Sequence, residues 1–204
     1  MKHERDLMSR LNEGSVICAE GYLFELERRG YLSAGAYVPE VVLDHPEVVS
    51  QLHHDFVHAG SDVVEAFTYY AHREKLRQIG KEDLLEPMNR QALQIAKKVS
   101  KKTNTLLAGN ICNTNTYIEG DSESYKFVRT MYDEQIGWAI DSGVDYIIAE
   151  TIDFLGEGKI ALEAIKETNL PAVVTLAIHR TGVTRDHFSP ENACKQLEDA
   201  GADV

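Results

Sequence analysis

Cysteine is scarce in this chain. Cys18, Cys112 and Cys194 are odd in number, widely separated and form no CxxC pair. A disulfide framework is therefore not expected, and a reducing, cytoplasmic setting is. Basic charge is also short: 21 Lys and Arg stand against 33 Asp and Glu, a net charge of −12. That balance argues against a nucleic-acid partner, which needs a basic footprint. No apolar run approaches the ~18–20 residues that span a bilayer, so no membrane partner is expected. The opening stretch MKHERDLMSRLNEG is charged and lacks the apolar core of a signal peptide. Glu20-Gly21-Tyr22 is not the GxGxxG of a dinucleotide site. With no low-complexity segment or linker, residues 1–204 are expected to form one domain, incomplete at its C-terminal end.

What is present is a regular alternation of short apolar runs and amphipathic stretches. The runs at 15–19, 63–68, 105–109, 146–149 and 172–178 predict five strands. Helices are predicted over 5–13, 22–29, 46–58, about 83–102, 122–142, 157–168 and 190–200. Three junctions share one pattern: Ala59-Gly60-Ser61-Asp62-Val63, Ser142-Gly143-Val144-Asp145-Tyr146 and Ala200-Gly201-Ala202-Asp203-Val204. Each gives a helix-ending Gly, an Asp, then a first strand residue. Strict alternation with short turns predicts a parallel α/β sheet with right-handed crossovers. A (β/α)8 barrel needs about 250 residues. The expectation is therefore a TIM-type barrel truncated to about five βα units plus the start of a sixth strand.

In such a fold the carboxyl ends of the strands carry the chemistry. Asp145-Tyr146-Ile147-Ile148-Ala149-Glu150-Thr151 predicts a buried strand ending on Glu150. The other strand ends offer Glu20 with the amides of Gly21 and Tyr22, then Thr68, Tyr69 and Tyr70, then Asn110, and finally His179, with Tyr37 nearby. Two carboxylates with exposed amides suit a zwitterion. Aromatic rims suit an onium methyl donor, at ~0.5–2 kcal/mol per ring. Tyr69 and Tyr70 fit equally well as packing beneath a loop. His54 and His58 lie i, i+4 on a helix beside His53, but HHDFVH lacks the glutamate of HExxH and the helix is expected outside the barrel, so no metal role is assigned.

In order along the chain, Glu20-Gly-Tyr-Leu-Phe-Glu-Leu-Glu-Arg-Arg-Gly-Tyr31, Val38-Pro-Glu with His45-Pro-Glu, the run Leu52 to Gly60, Glu65-Ala-Phe-Thr-Tyr-Tyr-Ala71, Ala108-Gly109-Asn110 and Ile148-Ala149-Glu150 resemble the homocysteine S-methyltransferase family. The likeness is strongest to its betaine–homocysteine branch. The resemblance implies a barrel that transfers a methyl group from an onium donor to the sulfur of homocysteine, giving methionine. By position, it puts Glu150 and Glu20 on the homocysteine amino group and the Gly21 and Tyr22 amides on its carboxylate. Tyr70 and Tyr37 fall at the donor.

Two departures accompany the likeness. Glu20 stands where the family usually has Asp, and Tyr37 where the betaine branch usually has Trp. The family's zinc ligands are three cysteines, one after strand six and a pair after strand eight, positions that fall beyond Val204. Cys18, Cys112 and Cys194 match none of them; Cys18 and Cys194 are expected to be buried and structural, and no metal ligand is assigned within the chain. Two other readings stand beside this one: a metal-free amino-acid-binding half-barrel, whose open parallel edge a homo-oligomer would cover, and a different barrel enzyme using Glu150 as general base.

Overall fold

The computed structural model describes residues 6–32 and 38–204. Within them lies a parallel sheet of four strands in sequential order: β1 (Val63–Glu65), β2 (Leu106–Cys112), β3 (Tyr146–Ile152) and β4 (Ala172–Leu176). Between them run α5 (Arg73–Gln78), α6 (Leu85–Thr103), α7 (Ser122–Ser142) and α8 (Leu155–Lys166), with α9 (Pro190–Asp199) after β4. Four helices precede β1: α1 (Leu7–Glu13), α2 (Tyr22–Arg28), α3 (Val41–Asp44) and α4 (Pro46–His58). This agrees with the predicted α/β alternation.

The expected first strand over 15–19 is reduced to a single bridge, Cys18 to Val63. The reason is local. Side chains take the place of the backbone ladder there: Ile17 N donates to Asp62 Oδ2 at 2.9 Å and Ala19 N donates to Ser61 Oγ at 3.0 Å. The segment still lies along the sheet edge. Sequence reading also missed α5, which begins right after the aromatic loop Tyr69-Tyr70.

The Gly-x-Asp repeat has a mechanical role. Gly60, Gly143 and Gly201 adopt φ of 110°, 72° and 102°, a region open to glycine at little cost. Each following Asp then bridges back to the neighbouring strand. Asp62 Oδ2 accepts from Ile17 N, Asp145 Oδ2 from Leu107 N at 2.8 Å, and Asp203 Oδ2 from Ala172 N at 2.8 Å. The backbone N–H of each Asp donates in return to Ile17, Leu107 and Ala172. The repeat therefore fixes each strand's register at its entry.

Two faces of the sheet follow from the period of two. Leu107, Ile111, Ile147 and Ala149 point outward into a core shared with α6, α7 and α8, including Leu93, Val128, Tyr132 and Leu162. At Gly109 an added Cβ would lie 2.9 Å from Ala139 Cβ, so α7 approaches the sheet only because that position has no side chain. Leu106, Ala108, Tyr146 and Ile148 point the other way, onto Leu7 and Leu11 of α1. Continuing that alternation toward the carboxyl ends places Glu65, Asn110 and Glu150 on the same concave face.

Candidate active site

That face changes character from bottom to top. Its lower half is apolar, with Val63, Ala108 and Ile148 buried. Its upper half opens into a cavity of about 490 Å³ lined by Glu20, Gly21, Tyr22, Glu65, Tyr69, Tyr70, Asn110, Glu150 and Thr151 among others. Every described residue expected to bind a ligand, namely Glu20, Gly21, Tyr22, Tyr70 and Glu150, lines this one cavity. Tyr37 lies outside the described residues.

Asn110 is central. Its Nδ2 donates to Glu65 Oε1 at 2.5 Å and to Glu150 Oε2 at 2.6 Å. In this orientation one nitrogen serves both acids, and Asn110 Oδ1 is buried with no hydrogen-bond partner among the described residues. Glu65 is almost wholly buried, and its Oε2 accepts from the Cys18 thiol at 3.4 Å. Glu20 stands at the rim.

Three acids around one cavity repel one another and lose hydration. Burial, then the Glu20 charge, pushes Glu150 up to about 7, with the Asn110 hydrogen bond opposing the rise. Burial, then Glu150, raises Glu65 well above the usual carboxylate range. Burial also raises Glu20. An arrangement of this kind favours a bound cation, which would relieve the repulsion.

Glu150 does not end its strand. β3 continues to Ile152 through an irregularity between Ala149 and Ile152, and Thr151 turns to φ 57°. Positive φ in a β-branched residue is strained, and Thr151 N is held by Thr175 Oγ1 at 2.9 Å. Tyr70, across the cavity, also has positive φ (59°), with its N–H on Cys112 Sγ at 3.2 Å. Asn110 likewise sits inside β2, which runs on to Cys112 rather than ending at Gly109.

The aromatic residues divide. Tyr69 and Tyr70 pack at 4.4 Å between ring centroids, and Lys75 Nζ lies 4.2 Å over the Tyr70 ring, so that ring already carries a cation. Tyr22 is buried, its ring against Phe67 and His53, and its hydroxyl 3.2 Å from His53 Nδ1. Only the backbone of Tyr22 is placed to serve a ligand. His53 is core, and burial lowers it to about 3. His179, past the end of β4, is exposed in a loop with Nε2 2.8 Å from Asp153 Oδ1.

Glu65 is the site residue missed in the sequence. The signal was there: one carboxylate inside the apolar run Val63-Val64-Glu65-Ala66-Phe67. The cysteine expectations need correction too. Cys194 is exposed on α9 rather than buried, at the flank of the stripe that buries Ala193 and Leu197. Cys18 is half-buried, with its thiol on Glu65, and Cys112 is buried.

Among the described residues, Cys18, Glu20 and Glu65 bring possible metal-ligand atoms within 4.8 Å of one another. They do not fit the expected zinc. The set holds one sulfur, not three, and burial followed by the Glu65 charge pushes the Cys18 thiol far up, away from the thiolate that zinc takes.

The homocysteine S-methyltransferase family matches the chain over residues 17–204. The chain belongs to that family. Betaine–homocysteine S-methyltransferase 1 of Rattus norvegicus is 35% identical over 208 residues, covering 100% of this chain and 50% of that protein. S-methylmethionine–homocysteine S-methyltransferase BHMT2 of Pongo abelii is 34% identical over 202 residues, covering 98% and 53%. The chain thus spans about half the length of these curated relatives. The crystal structure of the metallated homocysteine methyltransferase MmuM from Escherichia coli superposes with a TM-score of 0.79 at 19% identity, over 96% of this chain and 74% of that one. That likeness concerns the fold. No helix among the described residues is long and apolar enough to cross a membrane.

Proposed function

We propose that the chain forms the homocysteine-binding portion of a cytoplasmic S-methyltransferase, a single domain built as part of a (β/α)8 barrel, which methylates the sulfur of homocysteine from an onium-type donor such as betaine and so gives methionine. The observation that carries this reading is the group of three acids, Glu20, Glu65 and Glu150, around one cavity in a chain of this family. Glu150 and Glu20 grip the ammonium of homocysteine. The Gly21 and Tyr22 amides, at the start of α2 where helix N–H groups lack intrahelical partners, receive its carboxylate. Tyr70, with Tyr37, borders the donor. Gripping both ends of the amino acid fixes the sulfur relative to the donor methyl group, which is where positioning lowers the barrier.

Zinc dependence is part of the same proposal, and it rests on the family's cysteines, at positions this chain does not span. Formation of methionine from homocysteine, followed by mass spectrometry with betaine, a sulfonium donor or no donor, tests the activity. Methionine formed only with an onium donor supports it. No methionine with any donor, under conditions where homocysteine binds, favours the second reading, an amino-acid-binding half-barrel that assembles without catalysis. The absence of a thiol-rich cluster among the described residues is the observation behind that alternative.

A further inference from the structure

The oxygens of the two most deeply placed acids are not equally free. Both Glu65 oxygens are engaged, Oε1 by Asn110 Nδ2 and Oε2 by the Cys18 thiol. For Glu150, among the described residues, only Oε2 is engaged, by the same Asn110 nitrogen. Asn110 is itself fixed: its backbone carbonyl accepts from Thr68 Oγ1 at 2.7 Å, and its side chain is buried. A ligand entering the cavity therefore meets Glu150 and Glu20 first, and Glu65 stands behind them.

We propose that Glu65 is a positioning residue, acting through the Asn110 amide to hold Glu150 turned toward the ligand ammonium. This rests on the reading of the cavity as an amino-group site and deepens it, since it separates the acids that touch the ligand from the one that does not. Asn110 Nδ2 has two hydrogens and gives one to each acid. Without the Glu65 acceptor, the amide loses the anchor that orients it. Without Asn110, Glu150 loses a charge-assisted hydrogen bond and becomes harder to ionise. The titratable groups whose charge is felt between Glu150 and its surroundings are Glu20, Glu65, Tyr22, Tyr69 and Cys112, all of them acids. Only the Asn110 hydrogen bond opposes the rise in the Glu150 pKa.

Calorimetric titration of L-homocysteine into the protein between pH 6 and 8.5 tests this, with Glu65→Ala, Glu65→Gln and Asn110→Ser. Glu65→Ala and Asn110→Ser should each weaken binding about 10-fold, the size expected for losing a hydrogen bond to a charged group, and Asn110→Ser should also move the pH midpoint upward because it removes the bond that favours ionised Glu150. Glu65→Gln keeps an acceptor for Asn110, so it should bind within about 3-fold of the parent with the midpoint in place, a loss well short of one charged hydrogen bond. Should Glu65→Ala melt without cooperativity, the comparison of Glu65→Gln with Asn110→Ser carries the same decision. If Glu65→Gln falls as far as Asn110→Ser, Glu65 acts by its charge as a direct ligand and the positioning role is overturned. An unchanged midpoint in Asn110→Ser overturns it as well. If the parent binds homocysteine at no pH, the amino-group reading itself fails.

Discussion

The Asn110 amide nitrogen lies 2.6 Å from one oxygen of Glu150, and among the described residues the other oxygen has no hydrogen-bond partner. A carboxylate held by one edge and open on the other is set up to receive a ligand cation. The cost falls on the empty protein, in which Glu150, Glu65 and Glu20 crowd one cavity without a counter-ion in contact among the described residues.

That cost should be visible in stability against pH. Glu150 has a folded-state pKa of about 7 against 4.5 for an ordinary glutamate, and Glu65 is raised as well. The folded state thus holds these protons more tightly than the unfolded one. The stabilisation is complete below about pH 4.5 and disappears as pH rises through about 7. For Glu150 the loss is on the order of 3 kcal/mol. Denaturant unfolding of the ligand-free protein should show stability falling from pH 5 to pH 8, and Glu150→Gln should flatten that slope. A stability that rises over this window would contradict the account.

The strand-entry aspartates make a second prediction. Asp145→Ala removes the acceptor of Leu107 N at the β2–β3 junction. Losing a charged acceptor for a partly buried amide should cost about 1–3 kcal/mol. Equilibrium unfolding measures it. Homocysteine affinity, which depends on the opposite end of the strands, should stay within a factor of about 3 if the clamp contributes only stability.

The donor side predicts a kinetic split. Tyr70→Ala removes a ring that lines the cavity, and one cation–π contact is worth about 0.5–2 kcal/mol. The KM for an onium donor should rise roughly 3- to 30-fold while homocysteine affinity holds, by the same energy range. Because Lys75 already sits over that ring, Lys75→Met should lower the donor KM if the donor uses the same face. Unchanged donor KM in both variants would remove Tyr70 from the donor site.

Much of this was legible in residue order. The helix over 122–142 was predictable at both ends, because Asp121 caps its start through Glu123 N and Gly143 ends it with φ 72°. The Gly-x-Asp repeat announced the parallel alternation, and Glu20, Tyr70 and Glu150 were placed on one mouth. Other features depend on contacts that residue order does not encode. The first strand dissolved because Ser61 and Asp62 side chains replaced its ladder. Glu65 was hidden inside an apolar run, and its partners Asn110 and Glu150 stand 45 and 85 positions further along. Tyr22 looked like a mouth residue until His53 and Phe67 were seen to enclose its ring.

The central claim is that this cavity receives the ammonium of homocysteine on Glu150. Titration at pH 8, above the Glu150 pKa of about 7, tests it most directly, with L-homocysteine and N-acetyl-L-homocysteine against the protein and its Glu150→Gln variant. The account predicts binding of homocysteine, none of the acetylated compound, and at least a 10-fold loss in the variant, the size of one charged hydrogen bond. Equal affinity of the two ligands, or an unaltered affinity in Glu150→Gln, would contradict it.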